Sequence, residues 1–117
     1  MRWMNVLAAL SGVIALSMLV LAAHALRDTL SPEALDRIRL GAFIQLANAA
    51  AALAIANRSG RLNAIAGALM LGGAGLFSAV LYTLSLVGGL GAFVMLAPVG
   101  GITLILGWAV LAFAKPG

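Results

Sequence analysis

No charged side chain interrupts the chain from Leu62 to Ala114. Nothing constrains its fold more, because a water-soluble domain has no place for so long an uncharged run. The run is divided by the glycine cluster Gly88-Gly89-Leu90-Gly91. Glycine weakens a helix by about 1 kcal/mol per residue relative to alanine and favours turns. Two apolar segments result, residues 62–87 and 92–114. Two more precede them: residues 3–26, closed by Arg27, and residues 39–56, closed by Asn57-Arg58-Ser59-Gly60-Arg61. A hydrocarbon core about 30 Å thick is crossed by about 20 helical residues. Lipid offers no partner to an unpaired backbone group, so each crossing must be helical. The expected architecture is all-α, a four-transmembrane-helix bundle in one domain, residues 1–117, with helices over roughly 3–26, 32–57, 62–87 and 92–114.

Composition agrees with that solvent. Charged residues are 9% of the chain and hydrophobic residues 64%, whereas soluble domains carry roughly 25% charged residues. There is no cysteine, which excludes disulfides, thiolate nucleophiles and cysteine metal sites. The net charge of +4 comes from seven basic and three acidic residues with no basic cluster. Such scattered charges are topology signals, not a nucleic-acid footprint. Arg2 and Ala23-His24-Ala25 imitate a signal peptide with its A-x-A cleavage site. The apolar stretch between them exceeds the roughly 7–15 residues of such a peptide, so the first helix is expected to remain.

The second helix has a readable start in Ser31-Pro32-Glu33. Serine is a good N-cap, proline suits the first helical position, and an acid suits the positive end of the helix dipole. With four spans, Arg2, Arg58, Arg61 and Lys115 share one side; Arg27, Arg37 and Arg39 share the other with all three acids. The four-to-three excess places both termini in the cytoplasm of a bacterial inner membrane. Trp3 and Trp108 are then expected in an inner aromatic belt, and Phe43, Tyr82 and Phe93 toward the outer side.

This arrangement brings polar residues to one depth. His24, the only histidine, lies near the outer end of helix one. Gln45 and Asn48 share a face of helix two; Ser78, Tyr82 and Ser85 share a face of helix three. In helix four Pro98 removes a backbone donor, and Gly100 and Gly101 weaken the helix around it. Unpaired polar groups in lipid cost several kcal/mol, so such residues turn inward and find partners. The expected outcome is a polar layer of His24, Gln45, Asn48, Ser78, Tyr82, Pro98, Gly100 and Gly101 in the outer half of the bundle. His24 would point inward, neutral near pH 7. The plain alternatives are ordinary ones: serines bonded to their own backbone, and a tyrosine anchored at the interface.

Small residues form stripes on three helices: Ala8, Gly12 and Ala15; Ala64, Ala68, Gly72, Gly75 and Ala79; Gly100, Thr103 and Gly107. Stripes of this kind let helices approach closely. They are expected to pack the bundle, with a homo-oligomer as the second use.

Leu76-Phe77-Ser78 with Leu81-Tyr82, then Pro98 with Gly100-Gly101 and Gly107-Trp108, resembles the small four-helix membrane proteins of unknown function typified by bacterial YgdD. Their pattern in this half is Leu-Phe-Ser-Gly-Ser-Leu-Tyr, then Thr-Pro-x-Gly-Gly, then Gly-Trp. Ala23-His24 matches the end of their first helix. Where they have Tyr-Gln-x-x-His on helix two, this chain has Ile44, Gln45 and Asn48, and Ala97 stands in place of threonine before the proline. The resemblance implies four membrane helices and brings no activity. The missing second histidine weakens a paired-histidine metal or proton site.

Chemistry counts against several functions. No carboxylate lies within a span, as a proton-coupled exporter of cationic drugs requires. An ion channel needs a polar path across the full thickness, and the inner halves are mostly Ala, Leu, Val and Gly. One histidine and no cysteine supply neither a triad nor a metal centre. The expectation is a non-enzymatic structural, accessory or lipid-binding membrane protein without a cofactor, with membrane lipids as partners. A small-solute or ion transporter or channel subunit is the alternative.

Overall fold

The structure is a computed structural model that describes residues 1–116. Four α-helices run antiparallel in sequence: α1 Arg2–Ala23, α2 Pro32–Ile55, α3 Arg61–Leu86 and α4 Leu96–Phe113. All four, α4 together with the residues leading into it, are long and apolar enough to cross a membrane. The chain is a four-helix membrane protein.

Local chemistry sets the helix ends. Ser31 is extended, and its hydroxyl accepts the Ala34 N–H at 3.2 Å, with Pro32 in the first turn. That is the start the residues specify. α3 follows Gly60, whose φ of +103° suits glycine. The reversal before α4 uses Gly88, Gly89 and Gly91, all at positive φ. A 3₁₀ helix, Gly91–Met95, then leads into α4.

Pro98 is therefore not a break inside a helix over residues 92–114. It occupies the first turn of an α-helix that begins at Leu96. Proline supplies no N–H to the preceding turn, and the residues ahead of it wind more tightly, with the Leu96 N–H on the Phe93 carbonyl.

α2 and α3 form the centre of the bundle and are the more buried helices. α1 packs along α2 and barely meets α3; α4 packs along α3; α1 and α4 make no close backbone approach. One apolar core gathers Met4, Ala8, Ala49, Ala52, Ile55 and Met70. The other gathers Ala15, Ala22, Leu35, Ile38, Ala42 and Tyr82. Large apolar residues such as Val13, Val20, Ile102 and Ile105 face outward, as they do in a medium as apolar as themselves.

The two ends of the bundle differ in charge. The Met1 ammonium donates to the Ala56 carbonyl, which closes α2 and brings the start of α1 beside it. That end carries Arg2, Arg58, Arg61 and Lys115 and no acid. At the opposite end Arg27 lies 3.9 Å from Asp28, and Arg39 donates to Asp36 at 3.2 Å.

Close packing uses different small residues from those of the expected α3 stripe. A Cβ on Gly73 would lie 2.8 Å from the Gly100 carbonyl oxygen, and one on Gly100 would lie 2.7 Å from the Phe77 nitrogen. Gly107 sits equally close to Met70. Gly12, Gly72 and Gly75 face open space, and Ala68 and Ala79 are exposed. The stripe of Ala64, Ala68, Gly72, Gly75 and Ala79 thus lies largely outside the packing of this chain. Ala8 and Ala15 do pack in the core.

Candidate functional site

The polar residues of α2 and α3 meet along one seam. Arg37 Nε donates to Ser85 Oγ at 3.3 Å near the acid-bearing end. Further along, Ser78 donates to the Gly41 carbonyl at 2.6 Å, and Tyr82 donates to Gln45 Oε1 at 2.7 Å. Gly41 makes this possible: a Cβ there would lie 3.1 Å from the Tyr82 ring. Without that side chain the ring packs against α2 at Gly41, and its hydroxyl reaches Gln45 one turn on. Ser78 and Ser85 thus serve the neighbouring helix rather than their own backbone. Thr83 and Thr103 take the ordinary route, to the carbonyls four residues back.

The seam passes to α4 through Asn48. Its Nδ2 donates to the Ile44 carbonyl at 2.8 Å, and its Oδ1 accepts Trp108 Nε1–H at 3.0 Å. Trp108 is half exposed, so it is both a membrane-facing ring and a rung of the polar seam. The polar residues are not confined to the outer half, because Asn48 and Trp108 carry the seam past the middle of α2 toward the basic end.

His24 does not join it. It follows the last residue of α1, is exposed, and has no side-chain hydrogen bond among the described residues. The reason is helical phase. α1 packs through Met4, Ala8, Ala15 and Ala22, and His24 lies two residues beyond Ala22, roughly 200° round the helix. Pro98 is exposed as well. Gly100 is buried against α3, and Gly101 borders a groove. Of the eight expected residues, Gln45, Asn48, Ser78 and Tyr82 make the seam. Arg37 and Trp108 join the seam beyond the residues expected there, and Gly41 joins it from the helix face that it shares by spacing with Gln45 and Asn48.

The groove lies between α2 and α4 with α3 as its floor. It encloses about 430 Å³. Ile44 and Asn48 line one wall, Gly101, Ile105 and Trp108 the other, and Phe77 the base. Its surface is almost wholly apolar, and the Asn48–Trp108 pair supplies its polar point. Among the described residues no three His, Cys, Asp or Glu side chains gather where a metal could bind. The arrangement has apolar volume and internal hydrogen bonds.

No curated protein and no solved structure matches the chain significantly. A family model described as "Protein of unknown function (DUF423)" matches residues 20–101, from the end of α1 through the whole α2–α3 seam to the start of α4, and the chain belongs to that family.

Proposed function

We propose that this is a non-catalytic structural or accessory protein of the bacterial inner membrane that holds a lipid acyl chain in the groove between α2 and α4. The groove itself carries the reading: an apolar trough on the outer face of a membrane bundle is shaped for a flexible hydrocarbon. The closed seam supports it. Gln45, Asn48, Ser78 and Tyr82 are bonded to one another's helices or to Trp108, which ties helices together and leaves no row of free polar groups for a transported solute.

The test uses Gly101, where an added Cβ meets nothing within 4 Å. Gly101→Leu should fill the groove without disturbing the fold. Native mass spectrometry of protein purified in mild detergent should show retained phospholipid in the parent chain and a marked loss in the variant. Equal lipid retention at equal thermal stability refutes the groove.

We place the basic end in the cytoplasm, following its excess of arginine and lysine. The chain has no cysteine, so single introduced ones report cleanly. Thr29→Cys should react with an impermeant maleimide on intact cells, and Asn57→Cys only after lysis. The reverse pattern inverts the topology.

A further inference from the structure

The start of α3 opens onto a second cavity, of about 650 Å³, at the basic end of the bundle. Gly60 precedes the helix without a side chain, and no side chain caps it. The N–H groups of Arg61, Leu62 and Asn63 lie in the first turn of the helix and have no partner among the described residues. Arg61 and Lys115 both line the cavity, and among the described residues no acidic side chain does. Helix dipole, free amides and two cations all favour an anion here.

Asn63 adds a separate observation. It lines the same cavity and is 1% exposed. Its Nδ2 donates to the carbonyls of Ser59 at 2.9 Å and Lys115 at 2.8 Å. Rotating the amide would set oxygen against both carbonyls, so its orientation is settled. Its Oδ1 is buried and has no partner, alone in this among the side-chain atoms of the described residues. A buried acceptor of this kind calls for a donor. Leu62 and Phe113 supply apolar walls beside it.

We propose that this cavity binds a phosphate group that carries a neighbouring hydrogen-bond donor. The phosphate sits on the α3 amides, Arg61 and Lys115, and a hydroxyl or ammonium of the same molecule reaches Asn63 Oδ1. A phospholipid headgroup has both parts and a tail for Leu62 and Phe113; free phosphate has only the anion and its own hydroxyl. The site is independent of the α2–α4 groove, and Gly101→Leu should leave it intact.

The experiment is an amide NMR titration of the full chain in mild detergent, watching residues 60–63. The probes are dihexanoyl phosphatidylglycerol, dihexanoyl phosphatidylmethanol, which has the same charge but no headgroup hydroxyl, and inorganic phosphate. Phosphatidylglycerol should shift these amides saturably and bind several-fold tighter than phosphatidylmethanol. Arg61→Gln with Lys115→Gln should weaken it about tenfold, as expected for the loss of charge-assisted hydrogen bonds. Asn63→Leu, if it folds, should erase the preference for phosphatidylglycerol. Inorganic phosphate binding as tightly as the lipid supports the site and assigns it to free phosphate. No saturable shift with any probe overturns the proposal, as does undiminished binding in the Arg61/Lys115 variant. Equal binding of the two lipids overturns the role given to Asn63.

Discussion

α3 meets its two neighbours in opposite ways. Toward α2 it presents Ser78, Tyr82 and Ser85, and each finds a hydrogen-bond partner across the seam. Toward α4 it presents Gly73, and the backbones approach until a methyl group at Gly73 or Gly100 has no room. Lipid supplies no hydrophobic drive between helices, so association rests on close packing and interhelical hydrogen bonds. This helix uses one means on each side. They should differ in tolerance: a lost hydrogen bond leaves a seam weaker but in place, whereas an added side chain separates two backbones.

Gly100→Val is the most severe test. Its Cβ would fall within 3 Å of backbone atoms of both Gly73 and Phe77, and backbone does not yield as a flexible side chain does. A loss of about 3 kcal/mol is expected, the upper range for overpacking, read as earlier unfolding of α4 in a denaturing-detergent titration. A shift below about 0.5 kcal/mol, the size of a neutral surface change, would mean that α4 does not pack as described.

Tyr82→Phe probes the polar side. It keeps the ring over Gly41 and removes the donor to Gln45 Oε1. The expected loss is about 1 kcal/mol, near that of other interhelical membrane hydrogen bonds, at most about 2 because a buried acceptor is stranded. If this variant proves as damaging as Gly100→Val, the contrast between the two seams collapses.

Smaller effects are expected outside both seams. Gly72→Ala should raise stability by up to about 1 kcal/mol through helix propensity alone, since nothing lies within 4 Å of the new methyl. A large destabilisation, or a change in cross-linked species in native membranes, would reveal a second copy packed on the Ala64–Ala79 stripe. His24→Ala should change stability by less than about 0.5 kcal/mol, as exposed substitutions do. A larger loss would place His24 against a partner that the chain does not itself supply.

The residues announced the spans, because charge and glycine punctuate the chain at Arg27, Asn57 to Arg61 and Gly88 to Gly91. They announced the start of α2 through Ser31 and Pro32, where the chemistry is local. They also marked Gln45, Asn48, Ser78 and Tyr82, because polar groups in lipid must turn inward. Phase was harder to read. α1 scatters its few polar residues, Asn5, Ser11 and Ser17, round the helix, so no polar face shows which side packs, and the sequence puts His24 inward although the contact face runs through Ala22. The role of Trp108 was hidden for a related reason. An indole suits a membrane interface and a hydrogen bond equally, and only the distance to Asn48 distinguishes them. Asn63 gave no sign at all, since its partners are the Ser59 and Lys115 carbonyls, one of them from the far end of the chain.

Each helix packs mainly on the helix before it, and α1 never closes against α4. That arrangement has a consequence for biosynthesis. Contacts between sequence neighbours need little loop closure and form early, and a chain made from its N-terminus can use them as they emerge. α2 can settle on α1, α3 on α2, and α4 last through its glycine reversal, with no finished surface reopened to admit a later arrival. The two binding sites inferred above both require α4, one along its groove face and one at its last turn and the residues after it. Neither exists until the final helix docks, so a nascent or truncated chain has no place for lipid or phosphate.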